Sequence, residues 1–211
     1  MRRQKESDTA RYVQSCGRDF WQEVFRLESD YLARHLEGCR DVLSVGCGHA
    51  AIEGKLAEKG LHIVGLDVSS EALSNAPDSI QTVVGRAEDM DFAPASFDAA
   101  IFVASLQFIE GYQKAIANAA RALRPNGRLI VLLLNPESEF YKGRMQRADS
   151  YVRKLRHDNL QEIEREIKKY FIAETEYFLG IRQTEIFESS HPSEAALYAV
   201  RGRLKNAENI L

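Results

Sequence analysis

The residues best suited to chemistry sit early in the chain. Gly46-Cys47-Gly48-His49-Ala50 follows the apolar run Val42-Leu43-Ser44-Val45 and precedes a helical pattern. Glycines at a strand-to-helix turn let the backbone bend sharply and let a ligand approach with no Cβ in the way. The helix start adds unpaired N–H groups. On its own this describes a tight turn in any doubly wound fold. Asp67 adds to it, because it ends the next apolar run about twenty residues past the first glycine, where a carboxylate can accept hydrogen bonds from both hydroxyls of a ribose. Its competing role is to cap the helix near residue 69, which Ser69 could do alone. Turn and acid together point to an adenosine-containing ligand without saying which. Gly46, Gly48 and Ala51 also satisfy the looser dinucleotide pattern, so NAD stays open at this point.

Other reactive side chains carry less. His35, His49, His62, His157 and His191 show no metal-ligand spacing, so no metal site is expected. His49 reads more readily as a solvated helix-start residue than as a base. Cys47 reads as a small residue fitting its turn rather than as a nucleophile. Cys16 and Cys39 form no CxxC pair with it, and a sparse, odd set suits a reducing cytoplasm. No general base stands out, so the catalytic residue is left unassigned. Tyr-x-x-x-Lys, which would suit oxidoreduction, is missing: Met145 follows Tyr141 at that spacing, and Leu155 follows Tyr151.

Positioning the turn and Asp67 requires alternating strands and helices, and the hydropathy pattern supplies them. Phe20, Val24, Leu27, Tyr31 and Leu32 recur at helical spacing over 19–37, with Gly38 as the stop. Strands are expected at 41–45, 61–66, 81–84, 97–103 and 128–134. Helices are expected over 50–59, 69–75 and 110–123, the last ended by Arg124-Pro125-Asn126-Gly127. Residues 138–171 read as helical and charged, with Asp158 as N-cap, Gln161 three residues on, and Leu160, Ile163 and Ile167 as an apolar stripe. Two further strand-like runs, 174–187 and 195–201, are joined by a link too short for a helical crossover, so they should pair antiparallel. Alternation of this kind predicts an α/β fold with a mostly parallel sheet.

At 211 residues the chain suits one domain, 1–211: an N-terminal helical cap (1–40), a ligand-binding core (41–134), and helices with a C-terminal hairpin (135–211). The net charge of −3 gives no basic footprint for nucleic acid. The longest apolar run, Ala99 to Leu106, is too short to span a bilayer, and no apolar h-region follows the basic N-terminus. A cytoplasmic protein with no nucleic-acid or membrane partner is therefore expected. Oligomeric state is left unassigned.

Gly85-Arg86-Ala87-Glu88-Asp89-Met90-Asp91-Phe92, Phe97-Asp98 and Leu123-Arg124-Pro125-Asn126-Gly127-Arg128-Leu129 follow the glycine turn in order. From about residue 41 to 134 the chain resembles the class I SAM-dependent methyltransferase family, where SAM is S-adenosyl-L-methionine, and within it the small-molecule branch with a "GDAExLPF"-like loop. The resemblance implies a Rossmann-like doubly wound sheet of seven strands with the last antiparallel. It implies SAM as cofactor, a small-molecule methyl acceptor, and methyl transfer as the activity. It also implies roles: Gly46, Cys47 and Gly48 against the methionine part, Asp67 on the ribose, Val68 on the adenine face, Ala87 and Glu88 at the adenine edge, and Val103 to Gln107 beside the sulfonium. Ala50 replaces the usual third glycine, Arg86 the usual aspartate, Ala104 a frequent polar residue, and Gln107 a frequent histidine. The alternative reading is a SAM- or nucleoside-binding protein without chemistry, acting in regulation or assembly.

Residues 1–20 and 138–157 offer few apolar anchors and should emerge above the methyl group. Either they close over it as a lid, with Tyr12 and Tyr141 as acceptor-pocket residues, or 1–20 is a frayed terminus and 138–157 a packing helix.

Overall fold

The computed structural model describes residues 19–205. Helix α1 (Asp19–His35) buries Val24, Tyr31 and Leu32 of the stripe that its helical spacing predicts, and Phe25 beside them, while Phe20 and Leu27 are half-buried. Arg26 bridges Glu23 and Asp30 on its solvent side. The chain then alternates through β1 (Asp41–Val45), α2 (Ala51–Glu58), β2 (His62–Asp67), α3 (Ser70–Leu73), β3 (Gln81–Val84), β4 (Phe97–Val103), α4 (Tyr112–Ala122) and β5 (Leu123–Leu134). After it come α5 (Glu139–Met145), α6 (Leu160–Tyr170), β6 (Phe171–Arg182), β7 (Glu185–Phe187) and β8 (Ala195–Leu204).

The strands form one sheet in the order β3-β2-β1-β4-β5-β8-β6-β7. Pairs within β3-β2-β1-β4-β5 are parallel. Those joining β5, β8, β6 and β7 are antiparallel, including the expected partnership of the last two long runs. The eighth strand exceeds the expected seven because the 174–187 run does not stay straight. Gln183 takes φ +55°, and β7 folds back on β6 with Arg182 opposite Glu185. Buried apolar residues line both faces of the sheet. One face is covered by α1, α2 and α5 through residues such as Leu32, Leu56 and Phe140; the other is covered by α4 and α6 through Ile116, Ile163 and Ile167.

Two more expectations needed correction. The 138–171 segment is not one helix: it breaks after Met145, makes a 3₁₀ turn over Tyr151–Lys154, and resumes as α6. Its cap is Asn159, whose side chain accepts from Glu162 N at 3.1 Å, rather than Asp158. Strand β5 also begins at Leu123, because Leu123 pairs with Phe97 before a register shift in β4. The Arg124-Pro125-Asn126-Gly127 run is therefore an irregular strand start, with Asn126 at φ +62°.

That run and Asp98 hold the ends of the strands. Asp98 accepts from the backbone N–H groups of Arg40 and Asp41 and pairs with Arg124 at 2.6 Å, while Arg124 also reaches Asp41 at 2.9 Å. A Cβ on Gly127 would lie 2.8 Å from the Arg124 carbonyl oxygen. These two sequence motifs thus work at the amino ends of β1, β4 and β5, the edge of the sheet opposite the glycine turn.

Candidate functional site

The strand order reverses between β1 and β4, and a doubly wound sheet opens a crevice beyond the carboxyl ends of its strands at such a point. Gly46 and Gly48 turn there with φ +76° and +57°. A Cβ on Gly46 would come within 2.6 Å of the Ser105 Cβ, whereas one on Gly48 would meet nothing within 4 Å. Gly46 is thus fixed by packing, and the space beside Gly48 is open for a ligand.

Asp67 ends β2 with its carboxylate already oriented. One oxygen accepts from Gly48 N at 2.8 Å and the other from Ser69 N at 2.8 Å. Ser69 caps α3 by accepting from Ala72 N, so the acid is not needed for capping. Each of its oxygens keeps a lone pair for a further donor. Val68 is 66% exposed, and the Ala87 N–H, at the start of a short 3₁₀ turn, has no partner among the described residues. Glu88 is held by Arg86 at 2.8 Å and accepts from Gly111 N at 3.2 Å. Gly46, Gly48, Asp67, Val68, Ala87 and Glu88 share one cleft of about 360 Å³.

A second cavity, of about 150 Å³, borders the cleft, the two sharing Gly46, Gly48 and Ala104 in their linings. It lies between α1, the glycine turn, the carboxyl ends of β4 and β5 and the amino end of the antiparallel β8. Cys47 and Val103 line this inner cavity rather than the cleft. Burial, reinforced by Glu53 and Asp67, pushes the Cys47 thiol far up, which suits the packing role expected of it: its sulfur fills the space where a Cβ on Gly65 would sit. Burial lowers His49, keeping its half-buried imidazole neutral at neutral pH.

Two expected site residues are elsewhere. Gln107 is fully buried and lines neither cavity. Its amide donates to Leu134 O at 3.0 Å and accepts from Leu134 N at 2.7 Å, tying the loop after β4 to the end of β5. Tyr141 is also buried outside both linings; its neighbour Phe140 and, from the 3₁₀ turn, Tyr151 face the inner cavity instead. Tyr12 lies outside the described residues.

The structure adds two residues that sequence reasoning missed. Glu28 on α1 and Glu53 on α2 both line the inner cavity, at 5% and 3% exposure. Glu53 accepts from Ser44 Oγ at 2.6 Å, while Glu28 has no hydrogen-bond partner among the described residues. Burial raises both acids, with Glu53 further raising Glu28, to about 8 for Glu28 and about 7 for Glu53. A signal existed: Val24, Glu28 and Leu32 follow one another at i, i+4, which puts a carboxylate in the apolar stripe of α1. Among the described residues no cluster of His, Cys, Asp and Glu could hold a metal, and no helix is long and apolar enough to cross a membrane.

Residues 43–131 match a family model described as a methyltransferase domain. A biotin biosynthesis bifunctional protein of Cellvibrio japonicus is 30% identical over 128 residues, covering 58% of this chain and 25% of that protein. A demethylmenaquinone methyltransferase of Tropheryma whipplei is 34% identical over 96 residues, covering 43% of this chain and 40% of that protein. The chain thus spans well under two thirds of the length of these relatives. Among solved structures, a SAM-dependent methyltransferase of Thermotoga maritima shares the fold with a TM-score of 0.73 at 21% identity, covering 92% of this chain and 97% of that one. Residues 43–131 thus match a methyltransferase domain, and the chain shares the fold of a SAM-dependent methyltransferase with the cleft at its switch point.

Proposed function

We propose that this protein is a SAM-dependent methyltransferase acting on a small molecule. The observation that carries the reading is the set of three residues that line both cavities. A cleft suited to a nucleoside meets a separate, mostly apolar cavity at Gly46, Gly48 and Ala104, which gives cofactor and acceptor a shared boundary. The residues fit SAM. Asp67 would take the ribose hydroxyls, exposed Val68 the adenine face, and the free Ala87 N–H the adenine edge, with the carboxylate of Glu88 beside it. Gly46, Cys47 and Gly48 would leave room for the methionine part, with Val103 at the boundary. When bound, SAM supplies a methyl group already activated on a sulfonium.

The protein's own task is then geometric. Two reactants held in line gain much of the rate from lost translational freedom alone. In this reading 41–134 supplies the cofactor cleft, while α1 and residues 135–205 close the acceptor side as part of the same domain. Gln107 and Tyr141 have no part in it. The acceptor is a small molecule, as the names of the menaquinone and biotin pathway relatives suggest, and neither nucleic acid nor membrane enters the proposal.

Calorimetric titration with SAM, S-adenosylhomocysteine and NAD tests the cofactor, followed by transfer of radiolabelled methyl from SAM to a small-molecule extract. Binding of the first two with far weaker NAD binding, and label in an extractable product, are expected. Tight NAD binding without SAM binding would overturn the reading. SAM binding with no transfer to any fraction would leave a binding protein without chemistry.

A further inference from the structure

The least expected feature of the molecule is a carboxyl group that lines a mostly apolar cavity. Glu28 is 5% exposed, lines the inner cavity and has no hydrogen-bond partner among the described residues. Its oxygens are not among the sealed, unsatisfied side-chain atoms, so they are open to the cavity, and a charge in such a place usually persists only when paired. Glu53 lines the same cavity and accepts from Ser44 Oγ and from its own backbone N–H. The rest of the lining is aromatic or aliphatic, with Trp21, Phe25, Phe140 and Leu197 among it, and it includes neither lysine nor arginine. Its histidine, His49, is held neutral by burial. Arg144 lies on the rings of Trp21 and Phe140, at 5.0 and 5.2 Å, and is not part of the lining.

We propose that Glu28 and Glu53 bind the acceptor, and that the acceptor is a small amine whose nitrogen lies between them while its apolar body lies among the aromatic rings. This rests on the methyltransferase reading. A carboxylate-bearing ligand would meet two acids and no lysine or arginine in the wall. An alcohol offers one donor, so at least one acid would stay unsatisfied. An ammonium offers three donors and the matching charge, and aromatic faces favour cations. The cavity's volume of about 150 Å³ is that of a site which takes a benzene-sized ligand.

The raised affinity of these acids for protons also suits the chemistry, because an ammonium must lose a proton before its nitrogen can attack. The entering ammonium favours the ionised form of both acids, whose protons pass to solvent, and it then gives one of its own protons to the Glu28 carboxylate. The freed lone pair then forms the N–C bond to the methyl carbon as the C–S bond breaks, its electron pair remaining on sulfur. The product leaves as a methylammonium, its charge balanced by the Glu53 carboxylate.

An ammonium could also be the one on the cofactor's own methionine part, and the test separates the two sources. Benzylamine, benzyl alcohol and benzoate are titrated into the protein saturated with S-adenosylhomocysteine. Benzylamine should bind at least tenfold more tightly than the alcohol, and benzoate should not bind. Glu28→Gln and Glu53→Gln should each lose at least tenfold in benzylamine affinity while their S-adenosylhomocysteine affinity stays within about twofold; thermal melts confirm that they fold. Equal loss for S-adenosylhomocysteine would assign the acids to the cofactor and overturn the proposal, as would alcohol or benzoate binding as tightly as the amine, or none of the three binding. If S-adenosylhomocysteine itself fails to bind the native protein, the methyltransferase reading falls, and benzylamine binding with its dependence on Glu28 is read on the protein alone.

Discussion

The two cavities are built by different means. The cleft is made largely of backbone. Its turn, Asp67 and the Ala87 N–H come from short stretches at the ends of β1, β2 and β3, and each is fixed by hydrogen bonds to near neighbours: Gly48 N to Asp67, Ser69 N to Asp67, Gly46 N to Leu66 O. The inner cavity is made of side chains from α1, α2, α5 and the far strands, and its two acids are poorly paired. A backbone-built site tolerates many side chains around it and recognises a constant ligand. A wall of side chains is where a variable ligand is selected, and where stability is given up for that selection.

The largest expected effect falls on the cleft. Asp67→Ala should weaken S-adenosylhomocysteine binding by roughly 2–4 kcal/mol, which is about thirty- to a thousandfold in Kd. The variant should also lose thermal stability, since Asp67 braces both Gly48 and Ser69. Unchanged affinity in a folded variant would reduce Asp67 to that bracing role and break the comparison.

The next effect belongs to the inner cavity and is read by pH. Glu28 and Glu53 have folded-state values raised to about 8 and about 7. Between about pH 5 and 8 the folded protein therefore retains protons that the unfolded chain has released, and stability must fall as pH rises through that window. Urea unfolding at both ends should show native protein losing about 3 kcal/mol more than Glu28→Gln across it. Parallel curves for the two proteins would mean that Glu28 is solvated or paired in solution.

The smallest effect sharpens the contrast. Ala50 sits at φ +54° and is fully buried. Ala50→Gly removes strain of about 1 kcal/mol but also a buried methyl worth about 0.8 kcal/mol. The melting temperature should therefore move by no more than about 2 °C, with S-adenosylhomocysteine affinity unchanged. A large loss of affinity would show that the Ala50 methyl itself shapes the cleft.

Much of the fold is legible in the amino-acid pattern. The stripe of α1, the five parallel strands, Leu160, Ile163 and Ile167 on α6, and the antiparallel pairing of β6 with β8 follow from periodicity and from the length of one link. The misreadings have both local and distant causes. Asn159 rather than Asp158 caps α6. Gln107, expected beside the cofactor, points into the protein because the backbone of Leu134, 27 residues on, offers it a donor and an acceptor.

The same division governs the site. Local sequence is enough for the glycine turn, the acid that closes β2 and the succession of parallel strands, because each depends on residues close in the chain and on backbone geometry that few residue types allow. Packing alone brings Glu28 and Glu53, 25 residues apart on helices that look amphipathic and ordinary, to face one enclosed space. Periodicity says which side of a helix is buried; it does not say what lies across from that side. The charge of a carboxylate changes its meaning once burial and a second carboxylate nearby raise its affinity for protons, and that depends on how α1 and α2 pack against the sheet.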